Sequence, residues 1–332
     1  MAQGIWLNID CGGTFATIFL ARGRDKFPAS VHIERGCTME LTRRTVPTMF
    51  ECLCCSGDTQ QKGGDVLDSQ LAAVPTMMFE ENCSDEDVPM HEIDLLNKLP
   101  LREFPEMEVE DGARYEGQWK GNHRHGYGIL CKADGQRYEG SFLNGRAHGH
   151  GMCSAANGNT YEGEWRNDCA HGLGKYAHLD GSSYEGEWRK DQKSGKGVEL
   201  WPDGGRYEGE FLCSRKHGEG TYTTLTGTMY QGQFEDDKMH GYGTYKFADA
   251  RVYEGQWQRS RIHGKGKMTW PSGLLYEGEF EDDLKHGEGT FTWSDSRMYR
   301  GQWRLGKQDG TGVARDIHGA VNHGEWRKGE RI

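Results

Sequence analysis

Tyr161-Glu162-Gly163-Glu164-Trp165, then the polar bend Arg166 to Ala170, then His171-Gly172-Leu173-Gly174: this stretch decides the fold. The same pattern begins at Tyr115, Tyr138, Tyr161, Tyr184, Tyr207, Tyr230, Tyr253, Tyr276 and Tyr299, always 23 residues apart, and a truncated copy reads Asn322-His323-Gly324-Glu325-Trp326. A fixed period of this length marks a repeat architecture. The aromatic-x-Gly-x-aromatic run has period two, so Tyr161, Gly163 and Trp165 share one face of a strand and Glu162 and Glu164 the other. Gly172 to Tyr176 reads as a second strand. Asp134-Gly135, Asn157-Gly158, Asp180-Gly181 and Asp203-Gly204 are hairpin signals leading into the next tyrosine. Each unit is therefore a two-stranded hairpin, and the units join into an antiparallel meander.

Glycine is a poor strand residue, so its recurrence at Gly126 and Gly128, Gly149 and Gly151, and Gly172 and Gly174 needs a steric reason. Either the backbone bends there, or a ring from a neighbouring strand lies across the bare backbone. The fifth-position rings (Trp119, Phe142, Trp165, Trp188, Phe211, Phe234, Trp257, Phe280, Trp303 and Trp326) are the expected cover, with some bending as well.

These units resemble MORN (membrane occupation and recognition nexus) repeats, 23-residue β-hairpin modules, over about two thirds of the chain. Departures are local: Ser194 and Asp309 replace the histidine, Ala250 and Ser296 the turn glycine, and Asn322 the last tyrosine. The expected fold is all-β, an elongated single-layer meander of about ten hairpins over residues 107–332. Before it stand a low-order acidic, cysteine-containing tail (1–83) and a short helix or linker (84–106) covering the first sheet edge. Asp111-Gly112 stands one period before Asp134-Gly135, so the sheet should begin ahead of Tyr115. The resemblance implies a non-enzymatic scaffold or adaptor that organises proteins at a membrane or cytoskeletal structure. It also implies phosphoinositide association and end-to-end self-association, hence a homodimer through the sheet ends. A regulatory module allied to a phosphoinositide kinase or a lysine methyltransferase is the further alternative, its catalytic domain supplied by a partner.

Composition agrees with a thin repeat sheet. The chain has 332 residues, 35% of them hydrophobic, and 49 glycines, too little apolar matter for several compact cores. With strands roughly 4.8 Å apart, ten units span on the order of 95 Å. The net charge of −11 is uneven: residues 1–108 hold 18 acidic and 9 basic side chains, residues 109–332 hold 33 and 31. A nearly neutral array gives nucleic acid no basic footprint. With no apolar run of membrane-spanning length, no secretory signal and no periodic cysteine framework, a cytoplasmic protein is expected, peripheral on a membrane or the cytoskeleton.

Ile5-Trp6-Leu7-Asn8-Ile9-Asp10-Cys11-Gly12-Gly13-Thr14-Phe15 resembles the first phosphate-binding hairpin of the actin-like ATPase superfamily, hydantoinase-type enzymes especially. That implies Asp10 and the Gly12-Gly13-Thr14 turn facing phosphate and metal. The other nucleotide-binding segments have no room before the repeats, so a chance strand-turn-strand or a fragment is expected. Cys52, Cys54 and Cys55 lack a second ligand pair for zinc. If translation starts at Met49 they become candidate S-acylation sites near an N-terminus.

Chemistry is otherwise sparse. His125, His148, His171, His217, His240, His263 and His286 occupy one repeat position, about 10 Å apart in adjacent units, too far to share a zinc ion. A structural role at the bend is expected of them. The repeated glycines precede no helix and cannot form a phosphate loop. No catalytic constellation stands out, so no enzyme activity, cofactor or metal is expected. The repeat-face aromatics Tyr115, Trp119, Tyr138, Phe142, Tyr161, Trp165, Tyr184, Trp188, Tyr207, Phe211, Tyr230, Phe234, Tyr253, Trp257, Tyr276, Phe280, Tyr299 and Trp303, with the two sheet ends, are the candidate protein-contact surfaces. For anionic lipid the candidates are the bend cations Lys190, Lys193, Arg215, Lys216, Arg259 and Arg261. Asp168, Glu235-Asp236-Asp237 and Glu281-Asp282-Asp283 break that row with opposite charge.

Overall fold

A computed structural model describes residues 4–10, 15–21 and 98–332. The chain divides into two units, 1–60 and 61–332, each taken by itself. In the first, strand β1 (Gly4–Asp10) pairs antiparallel with β2 (Phe15–Ala21) from Gly4↔Ala21 to Asp10↔Phe15. The two strands expected there are present and pair; Cys11 and Gly12-Gly13-Thr14 lie outside the described residues.

The second unit is one antiparallel sheet of hairpins. It runs through β3 (Leu101–Glu108), β4 (Arg114–Lys120) and β5 (His123–Cys131) in chain order to β22 (Val321–Arg327) and β23 (Glu330–Arg331). No ladder joins β23 to β3, so the sheet is open. Residues 101–106, expected as helix or linker, belong to β3. Its register slips between Phe104 and Met107, where Pro105 has no N–H to give the ladder. Between β3 and β4 stands a single 3-10 turn, Glu110–Gly112.

The unit beginning at Tyr161 shows the construction. Strand β8 (Thr160–Arg166) pairs with β9 (Cys169–Ala177), and β9 with β10 (Ser183–Arg189). The bend between β8 and β9 has both central residues left-handed, Asn167 (φ 51°) and Asp168 (φ 68°), the two-residue turn whose twist suits paired strands. Between β9 and β10, the Gly181 N–H donates to His178 O (3.0 Å), with Gly181 at φ 94° and the Ser182 N–H held by Asp180 Oδ1 (2.8 Å). The aspartate-glycine turns stand where the sequence places them.

The core is a single row of rings. Tyr115, Tyr138, Tyr161, Tyr184, Tyr207, Tyr230, Tyr253, Tyr276 and Tyr299 are all at most 1% exposed. Tyr161 lies edge-to-face against Trp165 of its own unit (5.0 Å between centroids) and Trp188 of the next (5.3 Å). The same alternation runs unbroken from Trp119 through Trp326. Each pair adds about 0.5–1.5 kcal/mol beyond area burial.

Here the sequence reading needs correcting: the tyrosine, and not the fifth-position ring, covers the glycine. The Tyr161 hydroxyl donates to Glu164 O (2.9 Å), which lays the ring across β9 at Gly174. A Cβ on Gly174 would stand 2.5 Å from Tyr161 Cζ. Trp165 instead stands edge-on and donates its indole N–H to Gly151 O (3.0 Å) of the preceding unit. Gly172 serves a different purpose. At φ 60° it forms the bulge where Glu164 alone opposes His171 to Leu173.

Candidate functional site

The two faces of the sheet differ in what is left for a partner. On the tyrosine face the 18 repeat aromatics are buried, apart from half-buried Trp119, so their rings form the interior and not a contact surface. The tenth-position side chains lie over them, including Ala147, Ala170, Met239 and Ile262, all buried. Lys193 and Lys216 occupy that same position. They are 7% and 8% exposed, and both ammonium groups converge on Glu199, with Lys216 Nζ 3.6 Å from Oε2. Lys193 Nζ also stands 5.1 Å from the Tyr184 ring centroid and Lys216 Nζ 4.8 Å from that of Trp201. Both were expected to face lipid; being tenth-position residues, they turn inward instead.

Lys190, Arg215, Arg259 and Arg261 are exposed as expected. Arg215 is paired with Asp236 (3.5 Å) and Arg261 with Asp282 (3.3 Å), each in the next bend. Neighbouring bends are also latched through the backbone: the Ala147 N–H donates to Asp168 Oδ1 (2.7 Å), and the Asp168 N–H donates to Ala147 O (3.0 Å). Burial raises the Asp168 carboxyl pKa, against the lowering effect of that hydrogen bond and of Arg146. Asp191 and Asp283 are raised for the same first reason.

The histidines sit at the bulges, where two of them meet carboxylates: His240 with Glu235 (3.2 Å) and His286 with Glu281 (3.1 Å). No group of three metal-ligating side chains forms among the described residues. Burial lowers the pKa of His171, with Arg166 and Arg189 adding to the effect, and burial and Lys120 lower that of His125. Cys52, Cys54 and Cys55 lie outside the described residues.

The opposite face carries the second- and fourth-position side chains, and these two rows do different work. The fourth position serves the bulge: Gln118 Oε1 accepts the Tyr127 N–H (2.9 Å), Glu164 Oε1 that of Leu173 (3.1 Å) and Gln256 Oε1 that of Lys265 (2.7 Å). An acceptor oxygen is all that is needed there, so Glu and Gln interchange. The second position has no such backbone duty, yet it is Glu in seven units: Glu116, Glu139, Glu162, Glu185, Glu208, Glu254 and Glu277. Between these carboxylates, over the first units, stand Tyr127 (53% exposed), Met152 (42%) and Leu173 (61%). They line a shallow groove of about 770 Å³ whose floor is glycine backbone, including Gly151, Gly163 and Gly174. A second groove crosses the later units and is bordered by charges of both signs, among them Lys265, Lys267, Glu277, Glu288 and Arg300.

Strand alternation places the second-position glutamates on the face opposite the rings, but it does not announce the apolar groove between them. The signal was there. Tyr127, Ile129, Met152 and Leu173 hold positions that most later units fill with polar residues such as Lys196, Glu219, Thr221 and Lys265, while Tyr242 (54% exposed) keeps a ring there at the second groove.

The MORN repeat family matches nine times in succession, at residues 115–137, 138–160, 161–183, 184–206, 207–229, 230–249, 253–274, 276–296 and 299–315. No curated protein matches the chain. Among solved structures, the TCP domain of SAS-4 (dCPAP) of Drosophila melanogaster, in complex with a proline-rich motif of Ana2 (dSTIL), is similar at 8% identity. That likeness covers 59% of this chain and 88% of that one, with a TM-score of 0.28. The G-box domain of the microcephaly protein CPAP matches at 13% identity over 60% and 97%, with a TM-score of 0.22. Virginiamycin B lyase from Staphylococcus aureus matches at 10% identity over 69% and 89%, with a TM-score of 0.14. The nine consecutive matches span most of the tyrosine-glycine sheet, and the chain belongs to the MORN-repeat family.

Proposed function

We propose that this protein is a non-enzymatic scaffold or adaptor that holds partner proteins at a membrane or cytoskeletal structure, with the glutamate-glycine face as its docking surface. MORN repeats are consistent with a membrane- or cytoskeleton-associated repeat protein. The single observation that carries the finer reading is the contrast between faces. The aromatic face is closed by its own side chains, whereas Tyr127, Met152 and Leu173 stand exposed over a glycine floor. Apolar side chains grouped in this way on a surface rimmed with charge are the usual mark of a contact site.

The test is localisation of the tagged chain, alone and with Met152→Lys/Leu173→Lys. Both residues are exposed, so the variant should fold with an unchanged melting curve. Wild type concentrated on a membrane or filament and a dispersed variant are expected. A wild-type chain spread evenly through the cell would count against the scaffold reading. A variant that stays on the same structure would remove the groove from it. A Cys52→Ser/Cys54→Ser/Cys55→Ser variant run alongside separates acyl anchoring from targeting by the repeats.

A further inference from the structure

Building on the docking-face reading, we infer that the groove over the first four units takes an extended, cationic segment of a partner protein, with a basic residue at every third position and apolar residues between. Three observations converge. The first is charge. In this stretch the rim carboxylates are Glu139, Glu162 and Glu185, of which Glu139 is held by Arg137 (2.6 Å) and the Tyr127 hydroxyl (2.7 Å), and Glu185 by Lys175 (3.5 Å), the one lysine lining the groove. Opposite charge across an interface selects the partner and sets register.

The second observation is spacing. Glu139 and Glu162 both stand opposite Met152, on its two neighbouring strands, and Glu162 and Glu185 likewise flank Lys175. Carboxylates therefore recur at every second strand, about 9.6 Å apart. An extended polyproline II chain advances about 3.1 Å per residue, so three residues cover about 9.3 Å. A chain laid across the strands thus meets a carboxylate at every third side chain. A helix needs about six residues for a comparable step.

The third observation is the floor. At Gly140, Gly151, Gly163, Gly174 and Gly186 the side-chain direction points to the tyrosine face, so the groove floor is bare strand backbone lying between the two outward rows of side chains. Tyr127, Met152 and Leu173 supply the apolar contact. Anionic lipid fits none of this, because the headgroups would face carboxylates.

The test uses the full chain and fluorescence anisotropy with three labelled peptides. One is (Arg-Leu-Pro)5, whose prolines hold the preceding residues extended. The second has Glu in place of Arg. The third has the first one's composition with all arginines gathered at one end. The expected result is saturable binding of the first peptide, weakened by salt, with at least a tenfold loss for each of the others. Glu139→Gln/Glu162→Gln/Glu185→Gln should lose at least tenfold, at a nearly unchanged melting temperature because these carboxylates hold only exposed side-chain partners. Glu254→Gln/Glu277→Gln should bind within about twofold of wild type.

Equal binding of the glutamate peptide, or of the triple variant, overturns the inference. So does binding to phosphatidylserine vesicles that competes with the peptide. Equal binding of the gathered-arginine peptide overturns the third-residue register. If Met152→Lys/Leu173→Lys disperses the chain in cells while the arginine peptide fails to bind, the docking face stands and this inference about its occupant falls.

Discussion

Gly174 and Tyr161 form one device. The hydroxyl bond to Glu164 O fixes the ring over Gly174, so no side chain can be added to that glycine without moving an aromatic group packed between two others. Gly174→Ala should destabilise the protein by about 1–3 kcal/mol, as overpacking does, measured by chemical denaturation. Tyr161→Phe keeps the ring and loses only the hydroxyl, so about 1 kcal/mol is expected. The double variant tests the cause: the clash is with ring carbons as well as the hydroxyl, so phenylalanine should not rescue Gly174→Ala. Asp168 gives a pH-dependent counterpart. Its folded pKa is raised by burial, so its contribution to stability is complete below the unfolded pKa and is lost as pH rises through the folded value. Asp168→Asn keeps an oxygen for the Ala147 N–H, tolerates the left-handed backbone and carries no charge. Thermal melts should show the variant more stable than wild type at pH 7, with the gain vanishing towards pH 3. A gain that grew on acidification would contradict the assignment.

Among the hairpins, the turn glycines vary in an informative way. Ala250 (φ 66°) and Ser296 (φ 72°) adopt the left-handed backbone that glycine holds at Gly181, Gly204 and Gly227. A Cβ costs roughly 1–2 kcal/mol there, partly offset by the smaller entropy loss of a non-glycine residue. Ala250→Gly and Ser296→Gly should each stabilise by about 0.5–1 kcal/mol, and together raise the melting temperature additively, being two units apart. These turns, the strand pairs and the antiparallel order were legible in the sequence, because period two, Asp-Gly dipeptides and a constant spacing are local signals. Less legible was which ring covers which glycine. That depends on the tyrosine hydroxyl finding Glu164 O three residues along, a bond no spacing announces. The inward turn of Lys193 and Lys216 was hidden for a related reason: lysine reads as a surface residue until Glu199 and the Tyr184 and Trp201 rings are placed around it. The sheet's start ahead of Tyr115 was legible from Asp111-Gly112, but that β3 reaches back to Leu101 was not, because Pro105 interrupts its pattern.

Across the whole sheet, coupling passes only between adjacent units, since each tyrosine touches the fifth-position ring of its own hairpin and of the next. Stability should then behave as a chain of nearest-neighbour terms, in which the place of a lesion matters as much as its size. Phe211 stands mid-array, edge-on to Tyr184 (5.0 Å) and Tyr207 (5.1 Å); Trp326, at the last unit, meets Tyr299 at 4.9 Å. Truncating a buried aromatic ring costs about 3–5 kcal/mol. Phe211→Ala places that loss at a junction with four or more hairpins on each side. The two halves should unfold separately, giving two transitions by calorimetry and a van't Hoff enthalpy below the calorimetric one. Trp326→Ala loses a ring at the end of the row, where only the terminal hairpin depends on it. One main transition should remain, with faster hydrogen exchange confined to residues after about 299. A single cooperative loss for Phe211→Ala, as sharp as wild type and merely shifted, would mean that coupling reaches beyond neighbouring units. The row of rings would then be the wrong account of what holds the sheet together.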